Sequence, residues 1–247
     1  MNQILITKKL YITPELKRKK KVYKVEFFLS IFLVFILMSA YIYAEYDRNK
    51  SEEVSQEILA NMDLQQEDTT VVKNNVLVIV LDDEQQSEEL NQKVEEKPVE
   101  VKKEMQTTQE GYHYATVATI NIPKIGVQYP ILDGETDSVE ETEKLLKMSP
   151  VKFWGPEPNE VGNFCIVGHN YRDTRFFSKV PTLENGDLIE ITDLSGKTIN
   201  YQVYNKYQVV PEDTSCTTQL TDGKKEITLI TCTNDNKHRV IVKARAI

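Results

Sequence analysis

The 247-residue chain carries a formal net charge of −8, and that charge is segregated along the sequence. Lys8, Lys9, Lys17, Arg18, Lys19, Lys20, Lys21 and Lys24 make the first 24 residues basic, whereas Glu45 to Glu110 is acidic. No basic surface studded with aromatics follows the terminal cluster, which excludes a nucleic-acid partner. The cysteine count of three is odd, so a disulfide framework is not expected and at least one thiol is free. Cys165, Cys216 and Cys232, with only three histidines, give no zinc-ligand spacing, and neither a metal nor another cofactor is expected.

Residues 1–24 form a basic head. Phe27 to Ala44 follows as eighteen residues without a charge. As a helix this run crosses roughly 30 Å of hydrocarbon, and Tyr41 and Tyr43 suit the membrane–water interface. Residues 25–46 are therefore read as a transmembrane anchor with membrane lipid as its surroundings. Lysines before the span, and Glu45 and Asp47 after it, place the N-terminus in the cytoplasm and the rest outside the cell membrane. A cleaved signal peptide is the rival. Against it stand the length of the apolar run and the bulky Tyr41–Tyr46 stretch, which offers no small-x-small cleavage site.

Residues 47–111 read as an extracellular stem. Val54, Ile58, Leu59, Met62 and Leu64 have helical spacing within Ser51–Glu67. Val76 to Leu81 is a short apolar run in acidic surroundings. It suits a strand packed on the main domain, or a sticky segment that holds the stem to a partner. Glu84 to Glu110 has linker composition, with few large apolar residues.

Residues 112–247 differ in composition. Strands are predicted at Tyr114–Ile122, Val127–Leu132, Asn163–Gly168, Asp187–Thr192, Thr198–Val210, Glu226–Thr231 and Arg239–Arg245, with turn residues between them. A short helix is predicted at Ser138–Met148, with Ser138 as N-cap and Glu140 and Glu141 in its first turn. Pro150 ends it, and Trp154–Pro158 reads as loop. A helical turn is placed in Thr174–Val180, and Pro211–Lys225 reads as a polar loop holding Cys216. Seven or eight short strands in roughly 135 residues predict an all-β fold, a closed barrel or sandwich.

Three strand-end residues have compatible chemistry. Cys232 ends one strand, Arg239 opens the next, and His169 follows Ile166-Val167-Gly168. A thiol nucleophile, an imidazole proton carrier and a guanidinium donor suit acyl transfer. The competitors fit less well. Cys165 lies between Phe164 and Ile166 and reads as a core thiol. Cys216 has no base near it in sequence, His113 sits at the linker junction, and His238 points away if Arg239 faces the site.

Thr228-Leu229-Ile230-Thr231-Cys232 with Arg239 downstream resembles the Thr-Leu-X-Thr-Cys signature of the sortase family. Gly168-His169-Asn170 is similar to the segment around that family's catalytic histidine. Ile122 to Val127 with Pro130-Ile131 resembles the opening of its barrel. The resemblance covers about Tyr112 to Ile247 and implies a closed seven- to eight-stranded sortase-type β-barrel with short helices. It also implies a cysteine transpeptidase of Gram-positive bacteria. Such an enzyme cleaves a Leu-Pro-X-Thr-Gly-like sorting motif between Thr and Gly, through a thioester. It then passes the acyl group to an amine of a cell-wall precursor or a pilin.

Carried over by position, Cys232 is the nucleophile and His169 the acid/base. Arg239 orients the substrate or its oxyanion, and Thr231 orders the substrate or the oxyanion site. The short Pro211–Lys225 loop lacks the long helix expected in class B. No inhibitory lid motif and no C-terminal span argue for class C, which leaves class A or D. A calcium site would need acids from two loops; Glu184, Asp187 and Glu212 are candidates, with scattered surface acids the simpler reading. The alternative from another class is a non-catalytic, membrane-anchored β-domain acting as a binding or scaffold module.

Overall fold

The computed structural model describes residues 14–73, 104–108, 111–136 and 138–247. The Val76–Leu81 run lies outside the described residues, as does most of Glu84–Glu110. The chain divides into two compact units, 1–50 and 51–247.

The first unit contains the beginning of helix α1 (Pro14–Lys73). Proline at the first helical position fits its fixed φ, and no Gly or Pro interrupts the sixty residues. The apolar stretch is long and apolar enough to cross a membrane, and none of its residues is buried.

Among the described residues of the second unit nine strands form one sheet: β1 (Met105–Thr107), β2 (His113–Ile122), β3 (Val127–Gly134), β4 (Val151–Trp154), β5 (Gly162–Val167), β6 (Leu188–Asp193), β7 (Thr198–Val209), β8 (Lys225–Cys232) and β9 (Arg239–Ala246). Their spatial order is β1-β2-β3-β4-β5-β8-β9-β7-β6. β6 also pairs with β2 through Ala118–Asp193 to Asn121–Glu190, so β2 to β9 close into an eight-stranded barrel. Of the closed barrel or sandwich expected from the turn spacing, the closed barrel is present. Two pairings, β3–β4 and β5–β8, are parallel. Helix α2 (Val139–Leu145) is capped by Ser138, whose Oγ accepts the Glu141 amide at 3.2 Å.

Strand alternation divides the side chains between two layers. Phe164, Ile166, Ile227, Leu229, Val240 and Val242 fill the barrel interior. Cys165, Ile230 and Ile241 face outward, yet they too are buried. The segment 211–224 folds over them and brings Cys216 into the same cluster, 4 % exposed. The rest of this polar loop is mostly exposed, with Cys216 and Thr221 its buried residues.

Asn163 makes that burial possible. It is fully buried, and its Nδ2 donates to the carbonyls of Cys216 (2.9 Å) and Thr218 (3.1 Å). Its Oδ1 accepts from Thr228 Oγ1 at 2.7 Å. Gln219 clasps the same backbone, accepting from Asn163 N (2.9 Å) and donating to Asn163 O (3.0 Å). Backbone groups where the segment meets β5 are thereby satisfied.

The stretch expected to be a stem contributes to this unit. Ile58 packs with Leu132, Leu145 and Val151, and Val54 packs against the same cluster. Ser149 donates to the Pro130 carbonyl at 2.6 Å, so Ser55, 3.0 Å away, donates to Ser149; both serines are fully buried. Met105–Thr107, within the expected linker, pairs with β2. Strand β4 was not predicted: four residues between a proline and a Gly/Pro-rich loop give too short a pattern to read.

Asn163→Ala strands the Thr228 hydroxyl and the Thr218 carbonyl and leaves the Cys216 carbonyl only Lys243 Nζ, 3.5 Å away. It is expected to cost about 1–3 kcal/mol of stability, the usual penalty for a buried group left unpaired. Denaturant unfolding of the variant beside the unaltered chain measures this; equal midpoints would contradict the pinning role.

Candidate active site

His169 leaves the end of β5. The ladder between β5 and β8 continues one residue past the strand, with Gly168 N donating to Ile230 O at 3.0 Å. Thr231 Oγ1 donates to Gly168 O at 2.8 Å. A Cβ at Gly168 would lie 2.5 Å from the Phe177 ring, so only glycine lets the chain pass here. The next carbonyl, of His169, accepts from Phe177 N at 3.0 Å. The backbone that carries the imidazole is thus held on both sides.

Cys232 is the last residue of β8 and pairs with Arg239, the first of β9. Side chains directly opposite on one face have Cβ atoms about 4.5–5.5 Å apart. Ile230 and Ile241, the next pair on that face, are paired likewise and form the floor. Asn170 Nδ2 donates to Cys232 O (2.8 Å) and to Asn234 Oδ1 (3.1 Å), tying the loop after His169 to the strand end that bears the thiol.

His169, Thr231, Cys232 and Arg239 all line one cavity of about 420 Å³. α2 supplies one wall through Glu143, and 211–217 supplies the other. Thr231 is only 1 % exposed, and its hydroxyl is already engaged with Gly168. Cys232 and Arg239 are half-buried.

Burial pulls the His169 imidazole below its ordinary value; Lys147 adds to the drop and Glu143 opposes it. At neutral pH the ring is mostly neutral and able to take a proton. A folded value below the unfolded one also means that His169 adds stability above the ordinary histidine range. That contribution is lost as pH falls through the lowered value.

The ring of His169 lies 5.3 Å from Tyr171, Tyr171 lies 5.4 Å from Phe176, and Phe176 lies 5.0 Å from Tyr129. Tyr129 OH accepts from Phe176 N (3.3 Å) and donates to Glu52 Oε1 (2.8 Å). Phe176 has φ +45°, an uncommon value for a bulky residue, and this stack holds it.

The other candidates lie elsewhere or are inert. Burial pushes the Cys165 thiol up to about 12 and also raises Cys216. Cys216 lines the cavity as a packed apolar group. His113 meets Thr107 Oγ1 at 3.0 Å at the far edge of β2, and His238 is exposed in the β8–β9 turn. Glu184 and Asp187 both bind Lys124, at 3.4 and 2.9 Å. Among the described residues no cluster of three His, Cys, Asp or Glu could hold a metal ion.

The sequence profile of the Sortase domain matches residues 120–247, half of the chain. The chain belongs to the sortase family. Like other sortases it is a cysteine transpeptidase. Similar solved structures include a sortase D5 transpeptidase from Clostridium perfringens, with 35 % identity, 54 % of this chain and 79 % of that one covered, and a TM-score of 0.47. Sortase C-1 from Actinomyces oris gives 29 % identity, 53 % and 72 % coverage, and a TM-score of 0.46. A lid mutant of sortase A from Corynebacterium diphtheriae gives 29 %, 54 % and 71 %, and 0.45. No curated protein matches the sequence.

Asn163 and the aromatic stack behind His169 escaped the sequence reading. An asparagine inside the apolar run Gly162–Val167 was the available signal, because a polar group in a buried strand needs a partner.

Removing each neighbouring charge shifts the acidic limb of kcat/KM in opposite directions. Glu143→Gln moves it to lower pH and Lys147→Gln to higher pH, both less at high salt because these charges are exposed. Shifts of one sign in both variants would contradict the electrostatic account.

Proposed function

We propose that this sortase cleaves a Leu-Pro-X-Thr-Gly-like motif of secreted proteins and transfers the acyl half to an amine of the cell wall or a pilin. The carrying observation is the convergence of Cys232, His169 and Arg239 on one cavity within the sortase domain. In this reading residues 112–247 are the catalytic domain, 1–24 a cytoplasmic head, 25–46 a single-pass anchor and 47–111 an extracellular stem. The long apolar helix supports the anchor, and the lysines before it support a cytoplasmic N-terminus. The short 211–224 segment keeps class A or D as the subclass.

Cys232 Sγ attacks the threonine carbonyl carbon as His169 takes the thiol proton. The carbonyl oxygen becomes an oxyanion that Arg239 stabilises with its fixed charge and N–H donors. On collapse the C–N bond breaks and His169 delivers the proton to the departing glycine amine. The acyl half remains as a thioester on Cys232. An incoming amine then attacks that carbon and gives a proton to His169. The C–S bond breaks, and the proton returns to sulfur. Thr231 acts through its bond to Gly168 O, which keeps the His169 and Cys232 backbones in register.

With a sorting-motif peptide and no amine, the protein is expected to gain the acyl mass on Cys232; Cys165→Ala and Cys216→Ser keep the adduct and Cys232→Ala loses it. An adduct surviving in Cys232→Ala would sink the assignment. If Arg239 acts through its planar fork, Arg239→Lys loses nearly as much transition-state stabilisation as Arg239→Ala, about 2–4 kcal/mol. A lysine variant with near-native kcat/KM would reduce Arg239 to a simple electrostatic neighbour.

A further inference from the structure

A second cavity, of about 770 Å³, adjoins the first and shares Lys152 and Phe153 with it. Its origin is a divergence of strands. β3 and β4 share one pair, Leu132 with Val151, and then part. Asp133 and Gly134 stand on one side of the gap, Phe153 and Trp154 on the other. Lys152 bridges it, bound to Asp133 at 3.2 Å and to Glu157 at 2.8 Å. The end of the 211–224 segment, including Leu220, closes the outer side. The lining is mixed, and three of its apolar side chains are exposed: Trp154 is 59 % exposed, Val161 57 % and Leu220 90 %.

Register gives the length of the combined groove. Cys232 ends β8, and Lys225, seven residues earlier, stands opposite Gly162 in the far cavity. At about 3.3 Å per residue that is roughly 23 Å. The four residues before a scissile Thr–Gly bond span only about 13 Å when extended. Roughly three further residues therefore fit before the groove ends.

We propose that the Trp154–Leu220 cavity binds the stretch of the protein substrate immediately upstream of the sorting motif, about three residues long and favouring an apolar side chain. The inference rests on the sorting-motif reading above. The acyl half stays attached to Cys232 after cleavage, so it occupies the cavity beside the thiol, and the chain before it continues past Phe153. The acceptor amine is excluded as occupant. It must reach the thioester carbon at Cys232, and an acceptor seated beyond Phe153 would lie behind the acyl chain.

The test uses the full chain in detergent micelles with two acetylated peptides, Leu-Pro-Ala-Thr-Gly and Ala-Leu-Ala-Leu-Pro-Ala-Thr-Gly. The extension is expected to raise kcat/KM by about fivefold or more, mainly through KM, as burying part of one aliphatic side chain would. Trp154→Ala and Leu220→Ser each remove that gain and leave cleavage of the short peptide unchanged. Trp154 is the single tryptophan of the chain, so its emission is a local reporter. In Cys232→Ala it should change with the extended peptide and not with the short one. An extension gain that survives both substitutions overturns the proposal, as does no gain at all. Substitutions that alter only the oligomeric state would assign the patch to a second copy of the chain and overturn it too. Failure of the wild type to cleave the short peptide would strike instead at the sorting-motif reading, and the proposal would fall with it.

Discussion

Everything at this site depends on the register between β8 and β9. That register sets Cys232 opposite Arg239, and it is fixed by the barrel core, not by the reactive groups. Ile227, Leu229 and Thr231 point inward and are almost wholly buried, while Ile230 and Cys232 face the outer layer. A slip of one residue would exchange the two faces, sinking the thiol into the core and exposing three interior side chains. The placement of the proposed nucleophile is therefore inherited from apolar burial. The hydrogen bond from Thr231 to Gly168 O extends this control to β5, so His169 is positioned by the same core.

The outer layer adds the substrate wall and the backing of the imidazole. Asn163 fastens the 211–224 segment over β5 and β8, and that segment walls both cavities. On the other side of His169, the string Tyr171, Phe176 and Tyr129 ends at Glu52, on the helix that also contributes Ser55 and Ile58 to the domain. The segment nearest the proposed anchor thus reaches His169 through three rings in tilted and edge-on contact. Substitutions at Glu52 or Tyr129 act on the site through packing, without touching substrate.

The barrel, and the three residues that converge on one cavity at its rim, were legible because their signals are local. A β-branched run ending in cysteine, a Gly-His pair after an apolar run, and an arginine opening the next strand are short patterns tied to strand ends. What was not legible depends on contacts distant in sequence. Pro211–Lys225 reads as a polar loop and is mostly exposed, but nothing nearby shows that Asn163, more than fifty residues earlier, binds its carbonyls and that Cys216 is buried. Ser51–Glu67 has helical spacing, yet the sequence does not reveal that its apolar face meets Leu132, Leu145 and Val151. Strand β4 is four residues long, below the length at which periodicity informs, and both cavities meet along it.

The central claim is that the barrel places one reactive thiol beside one half-buried imidazole. Alkylation by iodoacetamide across a pH series, with peptide mapping of all three cysteines, tests it most directly. Cys232 should be modified selectively, since Cys165 and Cys216 are buried with raised thiol values, and His169→Ala should change its rate–pH profile. Modification of Cys165 or Cys216 at a comparable rate, or a Cys232 profile indifferent to the loss of His169, would contradict the account.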